Sequence, residues 1–157
     1  MTDIKLNYGK WLNGEIDLLL ITGVSGSGKT TLAEELKEQL GDKIEVINTD
    51  KQILSYLERN EFQKNGAEYL YKHSSGMLKE LIENASLHKP TIIEGVHILL
   101  SDYELIKGLP LVIKDTDLLL SNERAALRSP EYAGMFTVMN NLIFNPQLEV
   151  LKSKIAI

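Results

Sequence analysis

The stretch ITGVSGSGKTTLAEEL, residues 21–36, places a glycine-rich loop between an apolar run and a helical pattern. Residues 23–30 match the spacing G-x-x-x-x-G-K-[ST] in full, and the match lies after a strand pattern and before a helix pattern, as this motif requires. Backbone N–H groups of such a loop, together with the positive end of the following helix, form a cradle for phosphate oxygens. The stretch therefore predicts an α/β fold built around a phosphate-binding loop, called the P-loop below.

The residue types within the P-loop predict how it holds a nucleoside triphosphate. Glycine lets the backbone curl so that its N–H groups point inward. Lys29 reaches the outer phosphates as a flexible point charge, and the Thr30 hydroxyl lies on Mg²⁺. We therefore predict ATP and Mg²⁺ as ligands, and the predicted nucleotide-binding residues are Gly23, Ser25, Gly26, Ser27, Gly28, Lys29, Thr30 and Thr31.

Four short apolar runs surround the P-loop along the chain. They are nearly continuous rather than alternating, which is typical of strands buried on both faces of a parallel sheet. Leu32, Leu36 and Leu40 recur at helical spacing after the P-loop, and Gly41 supplies a stop. The pattern predicts a three-layer α/β sandwich with a parallel sheet, whose strands lie within residues 16–22, 43–49, 91–96 and 109–115.

The remaining segments predict a helical insertion, a helical lid and two less regular ends. Residues 51–89 are longer than a crossover requires and include a helix that Ser74 or Ser75 can cap. Residues 121–144 are helical in pattern with a break near Pro130. The tail favours a short fifth strand, and the first fifteen residues favour a hairpin or arm in which Trp11 serves packing.

Polar residues follow each predicted core strand, where ligands of parallel sheets gather. Asn48, Thr49 and Asp50 end the second strand, and Glu94 ends the third. Arg124 and Arg128 follow the fourth strand at i, i+4 spacing, so that both face one side of a helix.

With these residues the chain resembles the P-loop kinases of the nucleoside, nucleotide and small-metabolite group, such as uridine, shikimate and gluconate kinases and the kinase domain of polynucleotide kinase. The resemblance runs from about residue 16 to residue 128, and GVSGSGKT is its specific motif. It implies that Asp50 binds or deprotonates an acceptor hydroxyl and that Glu94 acts through Mg²⁺ or its water. It also implies that Arg124 and Arg128 belong to a mobile lid and clamp the transferring phosphoryl group.

Each of these residues also has a purely structural interpretation. Asp50 can cap a helix, and the two arginines can form a solvated helix face. Glu94 in an apolar run is costly without a partner, which favours a functional role. His97 is close enough in sequence to approach the site, although a single histidine favours a structural role. Tyr69, Tyr71 and His73 can either line an acceptor pocket or serve simple packing.

Composition sets the remaining expectations. The 157 residues suit a single domain, residues 1–157, and the net charge of −5 provides no broad cationic field for nucleic acid. The chain has no cysteine, which excludes disulfides and thiolate sites. Its apolar runs are far shorter than a bilayer span, and the N-terminus lacks a signal-peptide pattern, so we expect a cytoplasmic protein without a membrane partner.

The leading hypothesis is an ATP-dependent kinase that phosphorylates a hydroxyl or phosphate of a small molecule, such as a nucleoside, nucleotide or sugar-type metabolite. The stretch INTDKQI, residues 47–53, motivates a 5′-polynucleotide kinase as an alternative. The short C-terminus motivates a second alternative, a nucleotide-binding module without transferase activity. No motif within residues 51–89 names the acceptor.

Overall fold

A computed structural model describes residues 3–53, 66–85 and 90–156, and its described strands join one sheet. The strands are β1 (Ile4–Leu6), β2 (Leu18–Thr22), β3 (Glu45–Asn48), β4 (Thr91–Glu94) and β5 (Leu111–Ile113), in the spatial order β1-β5-β2-β4-β3. The four core strands fall in the four predicted runs and are parallel, whereas β1 pairs with β5 in antiparallel orientation. The predicted parallel sheet is confirmed.

Helices connect and flank these strands. They are α1 (Tyr8–Leu12), α2 (Lys29–Leu40), α3 (described over residues 49–53), α4 (Gly66–Ala85), α5 (Tyr103–Ile106), α6 (Leu118–Arg128), α7 (Ala133–Met139) and α8 (Asn145–Ile155). Short 3₁₀ turns occupy Gly41–Lys43, Val96–Ile98 and Pro130–Tyr132, and a π-helical turn occupies Asn140–Phe144. The predicted break near Pro130 is confirmed, because α6 ends at Arg128 and a 3₁₀ turn follows.

Buried side chains form one apolar cluster on each face of the sheet. Successive β2 residues alternate between the faces, so Leu19 belongs to one cluster and Leu20 to the other. Trp11 of α1 is buried in the cluster that contains Leu19, together with Ala33 and Leu36 of α2, which confirms its packing role. The cluster that contains Leu20 includes residues of α4 and α8. Two helical layers thus enclose the sheet, as predicted.

Two local predictions are wrong, and a third is reduced to one of its two alternatives. The C-terminal segment forms α8 instead of a fifth strand, because Leu148 and Leu151 recur at helical spacing and are buried together. Of the hairpin or arm predicted for the N-terminal segment, the described residues 3–15 form an arm, which consists of β1 and α1 ahead of the first core strand. Neither Ser74 nor Ser75 caps a helix, since α4 begins at Gly66, and the Ser75 hydroxyl accepts a hydrogen bond from the Asp102 N–H at 2.8 Å.

Parallel pairing places the carboxyl ends of β2 to β5 at one edge of the sheet. The antiparallel orientation of β1 brings its beginning to the same edge, because Ile4 pairs with Ile113 at the end of β5. The P-loop, the beginning of α3, the end of β4, residues 114–117 and Asp3 therefore meet there. Among the described helices, none is long and apolar enough to cross a membrane.

Candidate functional site

Two glycines give the P-loop its shape. Gly28 has φ of 100°, a left-handed value that favours glycine, and it caps the N-terminus of α2. Gly26 has φ of 83°, and a Cβ there would collide with the backbone carbonyl of Ser121 in α6. The loop is thus packed directly against the helix that carries both predicted lid arginines.

A cleft of about 820 Å³ lies over the P-loop. It brings together most of the predicted nucleotide-binding residues and both arginines. Its lining comprises Asp3, Gly26, Ser27, Gly28, Lys29, Thr30, Thr31, Leu32, Glu35, Lys114, Asp115, Thr116, Asp117, Leu120, Arg124 and Arg128. Gly23 and Ser25 are not among the lining residues. A Cβ at Gly23 would stand 2.8 Å from the Lys114 carbonyl, and the Ser25 N–H donates to the side chain of Asn140.

Lys29 is buried at the beginning of α2, and its ammonium group donates to the Val24 carbonyl at 3.2 Å. Burial lowers the pKa of the Lys29 ammonium group, while the negative charges of Asp50 and Glu94 act in the opposite direction. An ammonium group has three donors, and one long hydrogen bond to a carbonyl does not use them all, so this buried cation suits an incoming phosphate.

Glu94 is 1% exposed at the end of β4, where it is hydrogen-bonded on two sides. The Thr30 hydroxyl donates to the carboxylate at 3.2 and 3.3 Å, and the Asn48 side-chain amide donates to the same carboxylate. Burial raises the pKa of the Glu94 carboxyl, against the opposing charge of Lys29 and these hydrogen bonds. Hydroxyl and carboxylate oxygens beside the nucleotide cleft fit Mg²⁺, a hard cation that takes few protein ligands.

Asp50 does not cap α3. The Asn48 side chain caps α3 instead, accepting from the N–H groups of Asp50 at 2.9 Å and Lys51 at 3.2 Å. The Asp50 carboxylate lies 3.3 Å from Nδ1 of His97, which also lies 3.2 Å from the Thr49 hydroxyl.

The contact with His97 favours the ionised form of Asp50. Partial burial alone would raise the pKa of its carboxyl, but the hydrogen bond with His97 and the charges of Lys29 and Arg128 outweigh it, so the pKa lies below its ordinary value. Asp50 is therefore held as a carboxylate. His97, for which the sequence favoured a structural role, contacts the predicted acceptor-binding residue.

The predicted lid arginines project from α6. Asp117 caps this helix by accepting from the Leu120 N–H at 3.2 Å, and both Arg124 and Arg128 line the cleft. The Arg128 guanidinium lies 5.9 Å from the centre of the Phe136 ring in α7, within cation–π range. Two further cations therefore line the same cleft as Lys29.

Side chains outside the motif also hold the P-loop, and the sequence did not single them out. Asn140, in the π-helical turn, accepts from the Ser25 N–H and donates to the Ser25 carbonyl, both at 2.9 Å. It also donates to the Asn122 side chain of α6 at 2.8 Å. The Thr116 hydroxyl donates to the Ser27 carbonyl at 2.7 Å. No local motif marks such contacts, since the partners are about 90 to 115 residues apart.

A family model described as an AAA domain matches residues 19–128, more than two thirds of the chain. The chain belongs to this family of P-loop NTPases. The matched region begins within β2 and ends with α6, so it contains the P-loop, Asp50, Glu94 and both arginines. The family accounts for the fold and for nucleotide binding at the P-loop. No curated protein matches the sequence.

Two predicted pocket residues, Tyr69 and Tyr71, have side chains that lie outside the described part of the structure. Residues 54–65 and 86–89 lie outside it entirely. His73, also predicted for an acceptor pocket, is buried within α4.

Proposed function

We propose that the protein is an ATP-dependent phosphotransferase that moves the γ-phosphate of ATP to a hydroxyl or phosphate group of a small molecule. The observation that carries this proposal is the position of Asp50. Its side chain is 57% exposed, lies outside the lining of the nucleotide cleft, and has its pKa lowered in part by Lys29 and Arg128. A carboxylate next to the cations, yet open to solvent, suits an acceptor that approaches from beside the nucleotide.

The cleft residues divide the work of phosphoryl transfer, which depends on positioning and charge stabilisation more than on covalent chemistry. The P-loop N–H groups and Lys29 hold the phosphates, and Arg124 and Arg128 neutralise charge on the transferring group. Mg²⁺, when bound with ATP, shields the phosphate charges, and Thr30 and Glu94 are the residues that would hold it. Asp50 orients the acceptor hydroxyl and accepts its proton, while His97 fixes the carboxylate.

The acceptor pocket belongs to the chain between β3 and β4 in this proposal. That segment begins after β3 ends at Asn48, includes Asp50 and α4, and returns to the sheet at Thr91. The net charge of −5 favours a small acceptor over a polynucleotide, because phosphate-backbone binding relies on clustered cations.

The test is transfer from γ-labelled ATP, with Mg²⁺, to a panel of nucleosides, nucleotides, sugars, sugar acids and a 5′-hydroxyl oligonucleotide. Lys29→Met is the matched control, because methionine keeps the buried stem and removes the charge. We expect a labelled small-molecule product with wild type and a loss on the order of 10³ or more with Lys29→Met. Since burial of the ammonium group is unfavourable, the variant should unfold at a temperature no lower than wild type.

Other outcomes of this assay would replace the proposal. Label transferred only to the oligonucleotide, with a steep dependence on salt, would assign a 5′-polynucleotide kinase. ATP binding without transfer to any acceptor would assign a nucleotide-binding module. A folded Lys29→Met variant with undiminished transfer would remove Lys29 from the mechanism.

A further inference from the structure

The nucleotide cleft contains a further cation, Lys114, which the P-loop motif does not include. Lys114 follows β5, and its N–H donates to the Thr22 carbonyl at 2.9 Å, so its backbone extends the sheet beside the P-loop. Its side chain passes over the loop, because Cε would lie 3.5 Å from a Cβ at Gly28. The ammonium group therefore lies near the N-terminus of α2, where phosphate oxygens would bind.

The structure also shows what holds this ammonium group. Nζ of Lys114 lies 2.8 Å from Oδ2 of Asp3, and both side chains line the cleft. The other carboxylate oxygen of Asp3 accepts from the Asp115 N–H at 3.2 Å. Asp3 reaches this edge because β1 is antiparallel to β5. A carboxylate of the chain itself thus pairs with a cleft-lining lysine.

The ion pair between Lys114 and Asp3 can be broken with little loss of stability. Their side chains are 23% and 29% exposed, so water reaches the pair from the cleft and partly screens the attraction between the two charges. A triphosphate carries several negative charges and offers stronger charge-assisted hydrogen bonds than one solvated carboxylate. The long lysine stem allows the ammonium group to turn from Asp3 towards the ligand without backbone movement.

We propose that Lys114 is a nucleotide-binding residue that leaves Asp3 for a phosphate oxygen of the bound nucleoside triphosphate, and that Asp3 acts as a competing internal anion. The inference rests on nucleotide binding in this cleft, which is part of the proposed function. It adds a residue outside the motif and gives β1 a role in setting nucleotide affinity.

The two partners predict effects of opposite sign. Lys114→Met removes the cation, and we expect the dissociation constant for Mg²⁺ with a non-hydrolysable ATP analogue to rise about tenfold, the scale of one charge-assisted hydrogen bond. Asp3→Asn keeps an oxygen for the Asp115 N–H but removes the competing charge, so affinity should increase by about two- to fivefold. The double variant should bind as Lys114→Met does, because the gain from Asp3→Asn requires Lys114.

The experiment is titration calorimetry of wild type, the three variants and Lys107→Met with the ATP analogue and Mg²⁺. Lys107 is an exposed lysine that precedes β5, at the opposite edge of the sheet, and its variant should bind as wild type does. Thermal unfolding checks that every variant is folded.

The outcomes separate this inference from the proposed function. Weaker binding by Asp3→Asn as well as by Lys114→Met would make the pair a structural brace and overturn the inference. Unchanged binding by Lys114→Met, with normal wild-type affinity, would overturn it and leave the proposed function intact. Failure of the wild-type protein to bind the analogue would contradict both.

Discussion

At the scale of single residues, the motif residues could be predicted from sequence, but their partners could not. The spacing of Gly28, Lys29 and Thr30 is specific enough to define a phosphate cradle by itself. The contact of His97 with Asp50 depends on how β3 and β4 align, which no local pattern encodes. The sequence therefore indicates Asp50 as a site residue but does not indicate which side chain orients its carboxylate.

The lid arginines provide a prediction at this scale. In the proposed function, Arg124 and Arg128 neutralise charge on the transferring phosphoryl group, so we expect Arg124→Met and Arg128→Met each to lower the transfer rate on the order of 10³. Glu123→Gln is the matched control, because Glu123 is exposed on the same helix and does not line the cleft. Single-turnover transfer at saturating ATP is the measurement. Normal rates in both arginine variants would show that α6 does not act as a lid.

At the scale of elements, helix and strand positions followed from periodicity wherever a segment was long and regular. The predicted C-terminal strand failed because a short apolar tail has no period of its own, whereas the longer window from Phe144 through Leu148 and Leu151 repeats as a helix. The helical pattern of residues 121–144 includes the turn that carries Asn140, but nothing in the pattern marks its π-helical geometry. Its importance is visible only because its side chain joins the P-loop to α6.

Asn140 supports a prediction about this junction. Asn140→Leu leaves the N–H and carbonyl of Ser25 without their partner, so we expect a stability loss of roughly 1–3 kcal/mol and weaker nucleotide binding. Asn141→Ala removes only one exposed hydrogen bond, in which Asn141 accepts from the Asn122 side chain at 3.3 Å, and should change both properties much less. Urea unfolding and nucleotide titration measure the two effects. If Asn140→Leu bound nucleotide with wild-type affinity, the P-loop would hold its shape without this contact.

At the scale of the whole molecule, segments from both sides of the family-matched region meet at one edge of the nucleotide cleft. Asp3, which precedes β1, binds Lys114 and the N–H of Asp115. Lys152 of α8 binds the Asp115 carboxylate at 3.0 Å. The sequence pattern placed the P-loop and the four core strands but left the roles of the two ends unassigned, because those roles depend on contacts across more than 30 residues. Residues on both sides of the family-matched region thus hold one edge of the cleft.

The pairing of Lys152 predicts a pH-dependent contribution to stability. The hydrogen bond with Asp115 raises the pKa of the Lys152 ammonium group, so the contribution is complete below the unfolded value of about 10.4 and is lost as pH rises through the folded pKa. Lys152→Met should therefore unfold at a lower temperature than wild type near neutral pH, and the difference should shrink in alkaline buffer. Lys79→Met, an exposed charge on α4, is the control. A difference that grew with pH would contradict this assignment.

In the proposed function Asp50 acts on the acceptor hydroxyl, whereas the cleft residues bind the nucleotide. One variant separates these two roles. Asp50→Asn should bind Mg²⁺ and ATP with an affinity close to wild type, yet transfer the γ-phosphate at least about a hundredfold more slowly, on the scale of general base catalysis. The measurement is single-turnover transfer to the acceptor found in the panel, alongside nucleotide titration of the same samples. Normal transfer by Asp50→Asn, or a loss confined to nucleotide affinity, would contradict the claim.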